Sequence, residues 1–414
     1  MAANDLKLFR SVGLGDTETS QDTSTVGEPS VAVSGPAVYM TGNWYASRST
    51  DSGSTWTHVD PFTSLPSAAG GFCCDQVTLH DRRRELWIWI LQYIQANGTN
   101  VFRLAATRNP SFPSAGWYWW DISPATLNGQ WTNVWFDYPD AALTNDNLWV
   151  TFNVFNAAGQ WQRAAVMKFP LQTIANAGIL VFNSWTTTQN GSLRLAQGAG
   201  QTMYFGSHNS TSQLRLFRWE DASNSINWWD VNVASWTNGN FTSNAPNGVD
   251  WLGRADGRIT GAWVAQNRVG FMWTSGAQAN RPNAFVRVVR IDETTKQVAD
   301  QPDIWSQTNA WAYPAASPND RGELGVTAFY GGANRHPSHV VGLRDDGAGT
   351  WKTMFSRTAS HSPPTPAWGD YLNCRPHAPY SHTWIAAGYT LQGGTDRRNV
   401  EPQYVHFGFE KDTP

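Results

Sequence analysis

Short apolar or alternating runs, separated by Gly, Pro and polar turns, recur along the whole chain. Leu86–Tyr93 and Val269–Thr274 are clear examples, and each has the length of a buried strand. No stretch keeps the 3.6-residue period of an amphipathic helix over several turns. Aromatic residues favour strands, whereas Gly and Pro interrupt helices. The pattern therefore predicts an all-β protein.

A unit of four predicted strands recurs seven times. Its second strand is the most apolar, and the seven copies are Val38–Gly42, Leu86–Tyr93, Leu148–Val154, Met203–Ser207, Val269–Thr274, Leu324–Tyr330 and Thr383–Tyr389. The first strands begin near Pro29, Asp75, Tyr138, Leu193, Arg258, Tyr313 and Asp370, with a mean spacing of about 57 residues. Seven four-stranded antiparallel units predict one seven-bladed β-propeller domain over residues 1–414.

The two ends of the chain predict how the ring closes. The seventh unit offers only three strands, near Asp370, at Thr383–Tyr389 and at Gln403–Phe409. An unassigned apolar segment, Leu6–Arg10, precedes the first unit and would supply the fourth, outer strand. Pairing of the two termini would leave no extra sheet edge to protect. The alternative is an N-terminal extension that lies on the surface.

Composition and charge exclude several classes of protein. The chain has 24 Trp, 15% charged residues and a net charge of −3 without a charged block. This balance argues against a nucleic-acid partner or a polybasic membrane surface. The longest apolar run, Leu86–Leu91, is far shorter than the roughly 20 residues that span a bilayer. We expect a globular monomer that binds neither nucleic acid nor membrane.

The three cysteines cannot build a disulfide framework. Cys374 stands alone, while Cys73 and Cys74 are adjacent. The pair either packs as two small buried residues or forms a vicinal disulfide that stiffens a binding loop. The start of the chain, Met1 to Asp5, lacks the apolar core of a signal peptide. We expect a secreted or extracellular protein from which the leader has been removed.

One local motif resembles a known family. Ser49-Thr50-Asp51-Ser52-Gly53-Ser54-Thr55-Trp56 is similar to the Asp-box (BNR repeat) of sialidase-like β-propellers. In such a hairpin the Asp accepts turn amides, the Gly takes a positive φ and the Trp packs between blades. A degenerate copy lies at Asp345–Trp351. The resemblance implies the propeller fold, and it places the motif between third and fourth strands, opposite the usual active face. The Arg-Ile-Pro motif of true sialidases is absent, so no sialidase role is transferred to these residues.

Carboxylates precede or open the first strands of five units. In related propellers these positions and the loops between second and third strands share one face, where ligands bind. The other two units offer Arg194 and Tyr313. Each carboxylate could simply accept amides from a neighbouring blade; together they could hold a cation such as a structural Ca²⁺ ion or supply a general acid. The five are Glu28, Asp75, Asp137, Asp256 and Asp370.

The loops between second and third strands are rich in aromatic, amide and cationic side chains. Aromatic faces can stack on a sugar ring, and Arg can hold a carboxylate in a bidentate fork. A single Arg or His in such a loop is more often a surface or structural residue. The predicted loop residues are Asn43, Trp44, Gln92, Tyr93, Asn153, His208, Asn209, Trp273, Arg281, Tyr330, Arg335, His336, Tyr389, Arg397 and Arg398.

Three functions fit these residues, each with an oligo- or polysaccharide partner and no required cofactor. The first is an exo-acting polysaccharide lyase that cleaves next to a uronic acid. In it, an accessible His208 would be the base, kept neutral by Arg194, with Tyr93 or Tyr330 as the acid. Its candidate substrate clamps are Arg281, Arg335 and Arg397.

The other two functions use different parts of the same face. A glycoside hydrolase would use two of Asp75, Asp137, Asp256 and Asp370, one of them as an acid with a raised pKa. A lectin would use clefts lined by Trp and perform no chemistry. The sequence leaves all three open. It has no Gly-x-Ser-x-Gly elbow, phosphate-binding loop or His-Glu-x-x-His motif.

Overall fold

The predicted all-β fold is confirmed. The computed structural model describes residues 5–15, 23–109 and 116–414, and these form seven four-stranded antiparallel sheets arranged as a β-propeller. The expectation that a leader has been removed is based on Met1 to Asp5, and residues 1–4 lie outside the described residues.

The first four blades take their strands consecutively from the chain. Blade one contains β2 (Ser30–Ser34), β3 (Ala37–Gly42), β4 (Tyr45–Ser49) and β5 (Thr57–Val59). Blade two contains β6 (Phe72–Asp81), β7 (Leu86–Tyr93), β8 (Phe102–Thr107) and β9 (Tyr118–Ile122). Blade three contains β10 (Val134–Leu143), β11 (Asn147–Asn156), β12 (Trp161–Pro170) and β13 (Asn183–Thr187). Blade four contains β14 (Arg194–Leu195), β15 (Thr202–Ser210), β16 (Gln213–Glu220) and β17 (Ile226–Asn232).

The last three blades complete the ring. Blade five contains β18 (Ile259–Ala265), β19 (Arg268–Ser275), β20 (Phe285–Asp292) and β21 (Val298–Asp300). Blade six contains β22 (Ala310–Pro318), β23 (Leu324–Gly332), β24 (Arg335–Asp345) and β25 (Thr350–Arg357). Blade seven contains β26 (Asn373–Pro376), β27 (Trp384–Leu391), β28 (Val400–Phe409) and the N-terminal strand β1 (Leu6–Gly13).

Strand β1 closes blade seven, as the sequence predicts. It pairs antiparallel with β28, from Leu6 opposite Phe409 to Gly13 opposite Gln403. The bond from the Leu14 amide to the Pro402 carbonyl, 3.1 Å, extends the pairing past the strand. The two termini therefore hold the ring closed, because β1 covers an edge of β28 that would otherwise be unpaired.

The second strands form the apolar centre of the blades. All eight residues of β7 are buried, and the same is true of β27. Short helical elements connect some of the strands, among them the α-helices Pro124–Leu127 and Leu171–Ala175 and the 3₁₀ turns Arg397–Asn399 and Glu410–Asp412. None of these helices is long and apolar enough to cross a membrane.

The hairpin between β4 and β5 is held by hydrogen bonds to the side chains of Asp51 and Ser49. Asp51 Oδ1 accepts the amides of Ser54 and Thr55 at 2.9 and 2.8 Å, and Oδ2 accepts the Thr55 hydroxyl at 2.7 Å. Gly53 has a φ of +83°, and its amide donates to Ser49 Oγ. The degenerate copy lies between β24 and β25, where the Asp345 carboxylate accepts the Ala348 amide at 3.0 Å. Both hairpins lie on the face opposite the starts of the first strands.

Candidate functional site

Backbone bulges shape the starts of the inner strands around the propeller axis. The ladder between β10 and β11 shifts register between Asp137 and Asp140, and that between β22 and β23 shifts between Ala312 and Ala315. The bulged residues include Tyr138 and Tyr313, whose φ angles are +58° and +55°. A bulge redirects side chains out of the ladder, and a bulky residue with positive φ marks a conformation that the surrounding fold enforces. The inner strands thus leave the regular sheet at the level of the predicted carboxylates.

Three of the predicted carboxylates meet near the axis and are deeply buried. Glu28 from blade one hydrogen-bonds the Asp75 side chain from blade two, and the charge of Asp370 from blade seven acts on both. The Tyr371 hydroxyl donates to Asp75 Oδ2 at 3.3 Å. Their exposed fractions are 5%, 8% and 8% for Glu28, Asp75 and Asp370. Carboxyl groups packed this closely cannot all ionise at little cost.

Burial raises the pKa of Asp75 to about 7, and the negative charge of Asp137 adds to the effect. Burial also raises the pKa of Glu28 well above its ordinary value, with the charges of Asp75 and Asp370 adding to it. The axis therefore holds protonated carboxyl groups at pH values where an exposed carboxyl would be ionised. Asp75 can therefore lose its proton near neutral pH.

Asp137 occupies a different environment from Asp75. It is half-buried rather than enclosed, and its Oδ1 accepts a hydrogen bond from Gln92 Nε2 at 2.9 Å. Gln92 comes from the end of β7, so a predicted loop residue of blade two positions a predicted carboxylate of blade three. Two neighbouring carboxyl groups in unlike environments are the usual arrangement for an acid and a base.

Two arginines in the connection that leads into blade five neutralise Asp370. Arg254 Nη2 and Arg258 Nη2 lie 3.2 and 3.3 Å from Asp370 Oδ2. Arg258 also pairs with Asp256 at 2.6 Å, and its guanidinium carbon lies 4.4 Å from the centre of the Tyr138 ring. Asp370 is thus held in a fixed ion-pair network, whereas Asp137 is held by one neutral amide.

A cavity of about 570 Å³ opens beside this network, over blades three to five. Arg258 and Asp256 form its axial wall, and Trp161 and Trp236 supply aromatic surfaces. The Trp161 indole donates to Asn153 Oδ1 at 3.2 Å, which fixes the ring at the rim. The rest of the wall carries amide and hydroxyl groups, among them those of Gln189, Ser192, Ser207, Asn209, Ser210, Thr211 and Asn238.

His208 borders this cavity, but the expectation of an accessible imidazole is wrong. Its ring packs between Trp236 and Trp273, with both ring centroids 4.7 Å away. Both ring nitrogens are buried, and burial lowers the pKa of His208 to about 4. Arg194, expected to act on it, instead pairs with Asp140 at 3.3 Å inside the channel. The two indoles that bury the ring come from distant parts of the chain, so a loop of small polar residues could not reveal them.

The predicted lyase acids do not lie beside His208. Tyr93 belongs to blade two, is 2% exposed and packs under the Arg103 guanidinium at 4.9 Å. Tyr330 belongs to blade six, where Asn309 Nδ2 donates to its hydroxyl at 3.0 Å. The predicted base and acids are thus distributed over three separate blades.

The remaining predicted loop residues mostly make local contacts. Arg281 pairs with Asp303 at 2.7 Å, Arg335 lies over the Phe355 ring, and His336 Nδ1 lies 2.7 Å from Ser362 Oγ. Trp44 lies in the tight turn between β3 and β4, with a φ of +72°. The other residues are buried or tied to their own turns: Asn43, Trp273, Tyr313, Tyr389, Arg397 and Arg398.

Cys73 and Cys74 form a disulfide in the bulge of β6, directly before Asp75. Cys374 is a buried free thiol. The sequence did not decide between two packed thiols and a vicinal disulfide. In the structure the pair is a vicinal disulfide, and it lies beside the axial carboxylates. Among the described residues, no group of three or more His, Cys, Asp or Glu side chains is arranged to hold a metal ion.

Several residues of the site were given no role from the sequence: Tyr138, Trp161, Trp236, Arg254, Arg258 and Tyr371. One signal was present, since an Asp-Tyr pair recurs as Asp137-Tyr138 and Asp370-Tyr371 in two similar first-strand starts. The arginines carried no such signal, because they lie in the long connection that leads into blade five.

No protein-family model and no curated protein sequence matches this chain. Among solved structures, it is similar to a protein of unknown function from Dyadobacter fermentans DSM 18053, with 9% identity, 98% of this chain and 100% of that chain covered, and a TM-score of 0.48. An α-L-arabinofuranosidase from Fusarium graminearum gives 10% identity, 93% and 94% coverage and a TM-score of 0.44. The Dos1 propeller gives 10% identity, 97% and 95% coverage and a TM-score of 0.48. These likenesses concern the overall fold, and nothing about the function of this chain follows from them.

Proposed function

We propose that this propeller is a glycoside hydrolase that acts on a neutral glycan at the axial carboxylates. The observation that carries the proposal is the contrast between Asp75 and Asp137. Asp75 is enclosed, and its pKa is raised to about 7, whereas Asp137 is half-exposed and bonded to Gln92. Glycoside hydrolysis needs one carboxylic acid to protonate the leaving oxygen and one carboxylate to act as nucleophile or base.

Asp75 is the proposed general acid. At neutral pH a substantial fraction of its carboxyl groups carries the proton that must pass to the glycosidic oxygen. Glu28 is a positioning residue, since its carboxyl group hydrogen-bonds Asp75 and belongs to the same buried pair. Tyr371 donates to the other side of the Asp75 carboxyl, which restricts its orientation.

Asp137 is the proposed nucleophile or base. A carboxylate neutralised by two guanidinium groups, as Asp370 is, has little charge left to offer a sugar carbon or a water molecule. Asp137 is bonded to a neutral amide rather than to a guanidinium group. We assign Asp370 to holding Arg254 and Arg258 in place, the latter at the wall of the substrate cavity.

The cavity beside the axis suits a sugar. Indole surfaces of Trp161 and Trp236 and neighbouring amide groups match the apolar faces and hydroxyl groups of a pyranose or furanose ring. Arg258, the cation in the cavity wall, is already paired with Asp256 and Asp370, so it offers little to an anionic uronate. Support for β-elimination is correspondingly weaker, because both nitrogens of His208 are buried and the predicted acids lie on other blades.

The test is a panel of neutral polysaccharides, namely arabinan, xylan, galactan, mannan and mixed-linkage glucan, with pectate and alginate as uronate glycans. The wild type should release reducing ends from at least one neutral glycan. Asp75→Asn and Asp137→Asn should each lower that turnover by about 10²–10⁴-fold. Asp146→Asn, at an exposed carboxylate on the opposite face, is the matched control and should retain full activity.

Three outcomes would contradict the proposal in whole or in part. Near-ultraviolet absorbance of an unsaturated product from pectate or alginate would identify a lyase. Saturable binding of a glycan without turnover of any panel member would identify a lectin. Full activity of Asp75→Asn would exclude Asp75 as the acid even if the protein proved to be a hydrolase.

A further inference from the structure

The end of the axial channel opposite the carboxylates contains a second cavity, of about 330 Å³. It lies at the connections between first and second strands, and most of the blades contribute to its wall. Its charged lining consists of three arginines, Arg82, Arg83 and Arg375, and two carboxylates, Asp81 and Asp320. The side chains that matter here are those of Arg82, Arg83, Gln197, Asp320 and Arg375.

The channel wall behind this cavity has an unbalanced positive charge. Arg194 Nη1 lies 3.3 Å from Asp140 Oδ1, and the same carboxylate is the acidic group that acts on Arg375. All three side chains are buried, with residue exposures of 7%, 5% and 8% for Arg194, Asp140 and Arg375. Two buried guanidinium groups therefore share one carboxylate, and a buried charge without a full partner is costly.

Arg375 has hydrogen-bonding capacity to spare. Its Nη1 donates to Gln197 Oε1 at 2.8 Å, and its buried Nε has no hydrogen-bond partner among the residues that the structure describes. Burial lowers the pKa of Arg375 to about 10, while Asp140 and Arg194 act on it in opposite directions. Arg375 still lines the cavity, and an anion at its exposed edge would accept hydrogen bonds from the guanidinium group and supply the missing negative charge.

The carboxylates at the mouth of the cavity are already engaged. Asp320 pairs with Arg82 at 3.3 Å, and Arg82 also donates to the His377 carbonyl at 2.8 Å. Asp81 is held by Arg84 at 2.9 Å. Arg83 is exposed, and its guanidinium makes no ion pair with any residue in the described part of the chain. The mouth therefore offers cationic donors, while its acidic groups are occupied.

We propose that this cavity binds a small tetrahedral oxyanion, such as inorganic phosphate or sulfate, on the guanidinium group of Arg375. Arginine presents its N–H groups in a planar fork that matches two oxygens of such an anion. Arg83 would add a second cationic contact from the rim. This oxyanion site lies at the opposite end of the channel from Asp75, so the proposal of anion binding does not depend on the proposed hydrolysis.

The test is isothermal titration calorimetry of the full chain with sodium phosphate, and separately with sodium sulfate. Sodium chloride at matched ionic strength gives the effect of screening alone. The wild type should show saturable binding of at least one oxyanion. Arg375→Gln should weaken binding more than tenfold, and Arg83→Gln should weaken it by a few-fold. Arg268→Gln, an arginine on the same face that is paired with Asp292 outside the cavity, should bind like the wild type.

Three results would overturn this assignment: heats that chloride reproduces, no saturable binding by the wild type, or unchanged affinity in Arg375→Gln. A thermal melt establishes whether each variant is folded. If Arg375→Gln does not fold, the exposed Arg83→Gln decides the matter, because its substitution leaves the buried channel intact. Wild-type affinity in Arg83→Gln would then exclude the cavity mouth as the binding site.

Discussion

Replacing Asp75 by Asn should inactivate the protein and stabilise it at neutral and alkaline pH. The amide keeps the size of the side chain but cannot ionise. In the wild type, the Asp75 carboxyl is enclosed with Glu28 and has a pKa raised to about 7. Its ionisation in the folded state is therefore unfavourable. The substitution removes this free-energy cost, and it also removes the acid proposed for catalysis.

The magnitude follows from the shift in pKa. The ordinary value is 3.8 and the folded-state value is about 7, so the unfolded chain releases this proton about three pH units earlier. Between these two values the folded protein binds more protons than the unfolded one, so its stability falls as the pH rises. At about 1.36 kcal/mol per unit, the accumulated loss at pH 7 and above is on the order of 4 kcal/mol. Asp75→Asn should be free of this loss.

The assay is urea unfolding of the wild type and Asp75→Asn at several pH values from 4 to 9, with turnover measured on the same samples. The stability difference should favour the variant increasingly up to about pH 7 and then level off. Wild-type turnover should decline on the alkaline side as Asp75 loses its proton. Asp146→Asn, which leaves Asp75 intact, should follow the wild-type curve. Parallel stability curves for wild type and Asp75→Asn would refute the reasoning.

Three further perturbations test other parts of the structure. Deleting residues 1–13 removes β1 and should lower Tm clearly, because the edge of β28 becomes unpaired; an unchanged Tm would contradict closure by the N-terminal strand. Asp51→Asn should lower Tm at pH 7, because hydrogen bonds, chiefly from Thr55, hold the pKa of Asp51 well below its usual range. The difference in Tm between the wild type and Asp51→Asn should shrink as the pH falls below about 4, because the wild type then loses the same stabilisation. A difference in Tm that persists at low pH would indicate a steric cause. His208→Ala should lower Tm by removing a ring packed between two indoles, yet kcat on the preferred glycan should stay within a few-fold of wild type, and a loss of 10²-fold or more would restore His208 as a catalytic candidate.

The repeated pattern made the fold predictable from the sequence. Apolar second strands such as Leu86–Tyr93 recur at intervals that average about 57 residues, and one strand too few at the C-terminus pointed to Leu6–Arg10. Both features can be recognised in the sequence without knowledge of any tertiary contact. The structure adds the pairing of Leu6 with Phe409, which completes blade seven.

The site was predictable only where strand position determined it. Asp75, Asp137 and Asp370 follow from their places at the starts of inner strands, because propeller symmetry brings those starts together at the axis. The environment of His208 did not follow, since Trp236 reaches it from the loop after blade four and Trp273 from the next blade. Such burial depends on packing between blades, which cannot be predicted from the residues that neighbour His208 in the sequence.

The most direct test of hydrolysis at the axial carboxylates is to digest the neutral glycan panel in water enriched in heavy oxygen. Mass spectrometry then identifies the oxygen at each new reducing end. A hydrolase must place one atom of solvent oxygen there, so the wild type should give labelled products while Asp75→Asn and Asp137→Asn give almost none. Unlabelled, unsaturated products, or full labelling by both variants, would contradict the account.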